Sequence, residues 1–203
     1  MARVKKNVVV KGLSGSLGDQ VVFKRDKAGR TIVSVMPTFA DDREFSDLQK
    51  GHMGDFRRAT QYAKAAAKAE AIYAEKAEGT PMSAYNVAVG DWFNAPEIGA
   101  IDLSGWTGQA GEPIRIEAFD DVMVKRVTVI VTDAEGVLIE QGAATQEAWQ
   151  EEGGLWWVYT TTQAAAGQPR VIAVAQDLPG HVGQKAAQMG AQIAAQNALE
   201  EAA

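Results

Sequence analysis

Ile114-Arg-Ile-Glu-Ala-Phe119 and Val127-Thr-Val-Ile-Val-Thr132 decide the fold. In the first run Ile114, Ile116 and Ala118 fall on one side, with Arg115 and Glu117 on the other. In the second, Val127, Val129 and Val131 repeat the same period of two. Side chains alternate across a strand, so this pattern marks half-buried antiparallel strands. Turn residues bracket them: Asp120-Asp121 after the first, Asp133-Ala-Glu-Gly136 after the second. Val137-Leu-Ile-Glu140, Leu155-Trp-Trp-Val-Tyr159 and Val171-Ile-Ala-Val-Ala-Gln-Asp177 continue the series. Several short strands between Gly- and Asp-containing turns predict an antiparallel β-sandwich over 104–180. The chain has no cysteine, so no disulfide joins the sheets. Trp149, Trp156, Trp157 and Tyr159 are the aromatics expected to fill that space. Alternation places Trp156 and Trp157 on opposite faces.

Outward from the sandwich, three further segments are expected. Residues 1–37 read as a basic β arm. Val8-Val9-Val10 is a strand, Lys11 to Gly18 a glycine-punctuated loop, and Asp19 to Lys24 a second strand. Thr31 to Val35 is a third, reached through a turn at Asp26-Lys-Ala-Gly29. Residues 45–95 read as two helices. The first runs from Ser46 to Glu78, in earnest from about Asp55 because Gly51 and Gly54 weaken its start. The second is capped by Ser83 or Thr80 and ends at Asn94, before Ala95-Pro96. Ile98 to Leu103 is an extended connector. The Ala- and Gln-rich stretch 183–203 predicts a C-terminal helix with a thin apolar stripe. The fold class is therefore α+β, with an N-terminal hairpin, a two-helix middle, the sandwich and a helical tail.

The same residues limit the chemistry. Lacking cysteine, the chain has no thiolate zinc site and no cysteine nucleophile. His52 and His181 share no metal-binding spacing, and no nucleophile elbow is present. Gly12, Gly15 and Gly18 match neither a dinucleotide fingerprint nor a P-loop. No catalytic residue is assigned, and the chain is expected to be no enzyme. Asp120, Asp121 and Asp177 sit at strand ends that a sandwich can gather at one pole, so calcium is the one cofactor considered. No apolar run is long enough to span a bilayer. The basic start lacks the apolar core of a classical signal peptide. The cytoplasm and the cell surface, reached by a non-classical route, both stay open as compartments.

Charge supplies the functional expectation. The first thirty residues hold eight basic and two acidic side chains, a net of +6. The whole chain carries −6, so the remainder carries −12. A basic arm of this kind seeks an acidic surface. Phe23 is its only aromatic and no nucleic-acid-binding motif accompanies it, so nucleic acid is not the expected partner. The acidic body of a second copy fits better. Val8, Val9, Val10, Val21, Val22 and Phe23 are the apolar strand residues expected to carry assembly, by strand complementation at an open sheet edge. A head-to-tail contact of this kind closes into a ring or grows as a filament. The alternative is a carbohydrate- or other ligand-binding module built on the tryptophans.

Gly111-Glu-Pro-Ile-Arg-Ile-Glu-Ala118, Asp133-Ala-Glu-Gly136 and Ala173-Val-Ala-Gln-Asp-Leu-Pro-Gly180 together resemble bacterial immunoglobulin-like domains of adhesins and surface proteins. His181 departs from that group's usual close, Ala-x-Asp-x-x-Gly-Asn. The whole chain is similar to an uncharacterised bacterial family that joins a glycine-rich N-terminal hairpin, a helical middle and such a β-domain. Gly15-Ser-Leu-Gly-Asp-Gln-Val-Val-Phe23, Ala84-Tyr-Asn-Val-Ala-Val-Gly-Asp91 and Ala95-Pro-Glu-Ile98 carry that likeness. The resemblance implies an immunoglobulin-like fold and a bacterial origin, and no catalytic residue.

Overall fold

The computed structural model describes residues 2–3, 10, 12–18, 20–26, 28–39, 43–147 and 156–189. The chain forms two compact units, Met1–Val89 and Gly90–Ala203. Among the described residues, three antiparallel four-stranded sheets and three helices make an α+β architecture.

In the first unit, β1 (Ala2–Arg3), β2 (Gly15–Leu17), β3 (Val21–Arg25) and β4 (Thr31–Val35) form a sheet in the order β1-β4-β3-β2. The expected turn closes β3 onto β4. Asp26 Oδ1 accepts from the Arg30 N–H at 2.8 Å, and Gly29 takes φ +71°, open to glycine without a Cβ clash. Two expectations fail here. Val10 lies in a turn rather than a strand, its carbonyl accepting from Leu13 N at 3.4 Å. Gly12, at φ +89°, reverses the chain too soon after it for a strand to continue. The glycine-punctuated loop instead yields β2, which pairs Gly15 with Phe23, Ser16 with Val22 and Leu17 with Val21. Val8 and Val9 lie outside the described residues.

The helical segment holds three helices, not two: α1 (Asp47–Ala69), α2 (Ala71–Ala77) and α3 (Ala84–Phe93). A capping box starts α1 eight residues before Asp55. Ser46 Oγ accepts from Gln49 N at 3.3 Å, and Gln49 Oε1 accepts from Ser46 N at 3.0 Å. Two satisfied N-terminal groups offset the weak propensity of Gly51 and Gly54. The expected single helix breaks at Glu70, whose backbone is extended (φ −106°, ψ 110°). Tyr62 and Tyr73 explain the break. In one continuous helix they would stand about 16 Å apart along the axis. The break brings their hydroxyls to 2.6 Å and their rings edge to face, with Tyr73 fully buried. Ser83 caps α3, its Oγ accepting from Asn86 N at 3.2 Å.

The second unit is the β-sandwich. One sheet orders β5 (Glu97–Asp102), β6 (Pro113–Phe119), β10 (Trp156–Thr160) and β9 (Thr145–Gln146) as β5-β6-β10-β9. The other orders β7 (Arg126–Thr132), β8 (Leu138–Ala143), β11 (Arg170–Gln176) and β12 (Val182–Gln188) as β12-β11-β7-β8. The expected connector at Ile98 to Leu103 is thus mostly strand, paired along β6 through a bulge at Gly99. The expected tail helix is also overturned where the chain is described. Val182 to Gln188 pair residue by residue with Gln176 to Arg170. That ladder outweighs the helix propensity of Lys185, Ala186 and Ala187, which is a weak preference in any case. Residues 190–203 lie outside the described residues.

Ile114, Ile116 and Ala118 face Val127, Val129, Val131, Val171, Ala173 and Ala175 in one core, all fully buried. Burying each Val or Ile contributes roughly 1.5–3 kcal/mol before chain entropy is set against it. Trp157, Tyr159 and Trp106 complete that core, while Trp149 lies outside the described residues. A buried carboxylate ties the sheets together at one side. Glu140 Oε2, on β8, accepts from the Tyr159 hydroxyl on β10 at 3.0 Å and from Thr162 N at 2.8 Å.

Candidate functional site

Five polar residues converge at one pole of the sandwich: Asp91 in the last turn of α3, Asp120 and Asp121 after β6, and Asp177 and His181 between β11 and β12. Asp91, Asp120 and Asp121 can each present a carboxylate oxygen within 4.8 Å of the others. Asp91 is fully buried, Asp120 half-buried and Asp121 exposed. Asp120 Oδ2 accepts from the Val122 and Met123 N–H groups at 3.0 and 2.6 Å, which fixes the turn. Asp120 Oδ1 is buried and accepts no hydrogen bond among the described residues. Burial raises the Asp120 carboxyl above its ordinary value, and the Asp121 and Asp177 carboxylates add to the rise. The two N–H groups oppose it. Asp121 Oδ2 accepts from Asn94 Nδ2 at 2.8 Å.

Asp177 is fully buried in the turn between β11 and β12. Its Oδ1 accepts from the Gly180 and His181 N–H groups at 2.7 and 2.6 Å, and its Oδ2 lies 3.2 Å from His181 Nδ1. Its oxygens are engaged in shaping the turn into β12, and the Trp92 ring meets the His181 ring edge to face at 5.0 Å. Of the expected trio, Asp120 and Asp121 share their pole with the carboxylate of Asp91, while Asp177 is near enough to act on Asp120 electrostatically and is hydrogen-bonded within its own turn. Three carboxylate oxygens are a hard-cation ligand set. Calcium would still need carbonyls or waters to reach six or more ligands. Sequence reasoning missed Asp91. Its signal was available: an acid one turn beyond Val87 and Ala88, on the buried side of a short apolar helix.

The expected assembly residues lie in the first unit. Val21, Val22 and Phe23 are half-buried in β3, hydrogen-bonded to β2 on one side and β4 on the other. Their backbone is already paired, so β3 itself has no ladder to donate. Among the described residues, β1 and β2 are the edge strands of this sheet. Leu17, Val21 and Val35 form a row across three strands on one sheet face. Leu17 is 67% and Val35 79% exposed. The tryptophans divide as alternation requires. Trp157 is buried, while Trp156 lies on the outer face beneath the Arg115 guanidinium, 5.0 Å from its ring centre. Arg115 also pairs with Glu147 at 2.7 Å.

No family model matches the chain, and no curated protein matches it. Solved structures with a β-sandwich type of fold align with about half of it. CopC from Methylosinus trichosporium OB3b is 14% identical, covering 46% of this chain and 89% of that one, with a TM-score of 0.34. A tetra-tandem repeat in the extending region of a large adhesion protein is 23% identical, covering 46% of this chain, with a TM-score of 0.31. This chain spans only 22% of that protein's length. A conjugative transposon lipoprotein from Bacteroides eggerthii DSM 20697 is 12% identical, covering 47% and 95%, with a TM-score of 0.24. Among the described residues no helix is long and apolar enough to cross a membrane.

Proposed function

We propose that this chain is a non-enzymatic structural or interaction protein. In this reading its sandwich is immunoglobulin-like, and copies assemble into a ring or filament through the N-terminal β arm. The observation that carries the reading is the row Leu17–Val21–Val35, half-buried at Val21 and exposed at both ends. A contiguous apolar face on a small sheet is destabilising in water and is relieved by a partner surface. The arm's +6 charge favours an acidic partner, and the remaining −12 of another copy supplies one. The assembly contact in this form uses the sheet face and the β2 edge rather than a donated β3. Sedimentation of the full chain at tens of micromolar and low salt should give particles larger than a monomer. Leu17→Lys with Val35→Lys should shrink them without lowering the melting temperature of the sandwich. A wild-type monomer under those conditions overturns the proposal.

A divalent cation belongs to the same proposal as a structural ligand of Asp91, Asp120 and Asp121. The alternative reading, a carbohydrate-binding module, draws on Trp156, which lies on the outer sheet face with Phe119 two residues beyond its cross-strand partner Glu117. Saturable quenching of tryptophan fluorescence by a glycan would favour that module over assembly.

A further inference from the structure

The outer face of the β5-β6-β10-β9 sheet carries one arrangement of side chains twice. In the first, the Arg115 guanidinium lies over the Trp156 ring and pairs with Glu147, and the Asp102 carboxylate attracts it further. One ring and two acids thus hold a cation of the same chain. In the second, the ring is Phe119 and the acids are Glu97 and Glu117. Alternation along β6 sets Arg115, Glu117 and Phe119 on one face, and Glu97 is the cross-strand partner of Phe119. Gly99, at the bulge of β5, has no side chain to hold them apart. A Cβ there would stand 2.5 Å from Phe119 Cε2 and 2.7 Å from Glu117 Oε2, so ring and carboxylate lie together over bare backbone. Phe119 and Glu97 are exposed and Glu117 is half-buried. Neither acid pairs with a base among the described residues. Lys185 reaches the same bulge, where it donates to the Gly99 carbonyl. Even with Arg115 and Lys185 counted, Glu97, Asp102, Glu117 and Glu147 leave this face acidic.

We propose that Glu97, Glu117 and Phe119 receive the N-terminal arm of a second copy, by taking the cations Lys24 and Arg25 at the end of its β3. This rests on the reading that copies assemble through the arm, and it names the surface of the neighbour that the arm meets. The occupant follows from charge. Arg30 of the arm is held by Asp26, whereas Lys24 and Arg25 are exposed and have no acid partner among the described residues. Alternation places Arg25 on the same face of β3 as Val21. Arg25 and the row Leu17–Val21–Val35 therefore approach a neighbour from one side of the sheet. The receiving surface offers what Arg115 already uses: a ring for a guanidinium to stack on and carboxylates to pair with it. Arm and receiving surface are different patches of one chain, so the contact is heterologous and repeats from copy to copy. It joins exposed charges and weakens as salt rises.

Two variants of the full chain test the contact by sedimentation at low salt. Lys24→Glu with Arg25→Glu disables the arm and leaves the receiving surface intact. Glu97→Gln with Glu117→Gln disables the receiving surface and leaves the arm intact. Each variant alone should need at least about tenfold more protein than wild type to form particles. Below that concentration an equal mixture of the two should give a one-to-one dimer and grow no further, because it offers one intact arm to one intact receiving surface. Unchanged far-ultraviolet circular dichroism would show that both variants are folded. Wild-type particles from either variant alone overturn this contact and leave the self-assembly reading standing. A mixture that stays monomeric, while wild type assembles, overturns the pairing of these two patches. A wild-type chain that is itself a monomer overturns both readings.

Discussion

Asp120 concentrates the physics of the acidic pole in one residue. Burial, then its acidic neighbours, raise its carboxyl above the ordinary value. The sign of the consequence follows from linkage. At neutral pH the folded chain holds a charged carboxylate less favourably than the unfolded chain does. As pH falls through the raised folded value the group protonates in the fold first. Its unfavourable contribution is relieved, fully so below the unfolded value near 3.8. Asp120→Asn keeps an oxygen to accept from Val122 and Met123. It should therefore raise the unfolding free energy at neutral pH, by roughly a few tenths of a kcal/mol after solvent screening, and lose that advantage near pH 4. Millimolar calcium should stabilise the wild type against a chelator control and stabilise the Asn variant less. A midpoint that ignores calcium in both proteins removes the cation from the pole.

At the scale of elements, β12 is the informative case. Gly183 lies against the backbone of Pro96. A Cβ built there would stand 1.8 Å from the Pro96 carbonyl oxygen and 2.9 Å from its carbon. Backbone cannot yield as a flexible side chain does, so Gly183→Ala should push β12 away from the chain entering β5. The expected cost is about 1–3 kcal/mol in urea unfolding, as for other overpacked sites. Lys185 donates to the Gly99 carbonyl from the same strand, so loss of β12 should also loosen the bulge in β5. A neutral Gly183→Ala variant would mean that β12 does not approach Pro96 closely in solution. α1 makes the complementary point. Its start is set by two reciprocal hydrogen bonds at Ser46 and Gln49, strong enough to carry a helix through two glycines.

Over the whole molecule the two units differ in kind. The sandwich encloses a continuous core of branched side chains between two sheets. The first unit buries mainly Ala59, Ala63, Ala66 and Tyr73, and exposes Leu17, Val35, Phe39, Leu48 and Phe56. Stability should be distributed accordingly. In native-state hydrogen exchange, amides of β7 and β11, each paired on both sides, should open only with global unfolding. Amides of β3 and β4 should exchange by cheaper openings in the monomer and gain protection as protein concentration rises. Protection in β3 and β4 that is independent of concentration would count against assembly through this unit.

The sequence alone determined what is periodic or local. Alternation at Ile114–Ala118 and Val127–Val131 fixed which side chains enter the core, because a one-residue slip would turn the whole set to solvent. Asp26 to Gly29, Asp133 to Gly136 and Ser83 announced turns and a cap through short-range hydrogen bonds that need no distant partner. Tertiary structure decided the rest. Whether Lys185-Ala-Ala became helix or strand depended on β11 offering a free edge. Whether one helix or two followed Ser46 depended on Tyr73 meeting Tyr62. Asp91 joined the acidic pole because α3 delivers a carboxylate from a helix to the strand ends, while the turn after β11 holds Asp177 through the Gly180 and His181 N–H groups. Contacts between residues far apart in the chain leave no local period, so propensity and spacing could not reveal them.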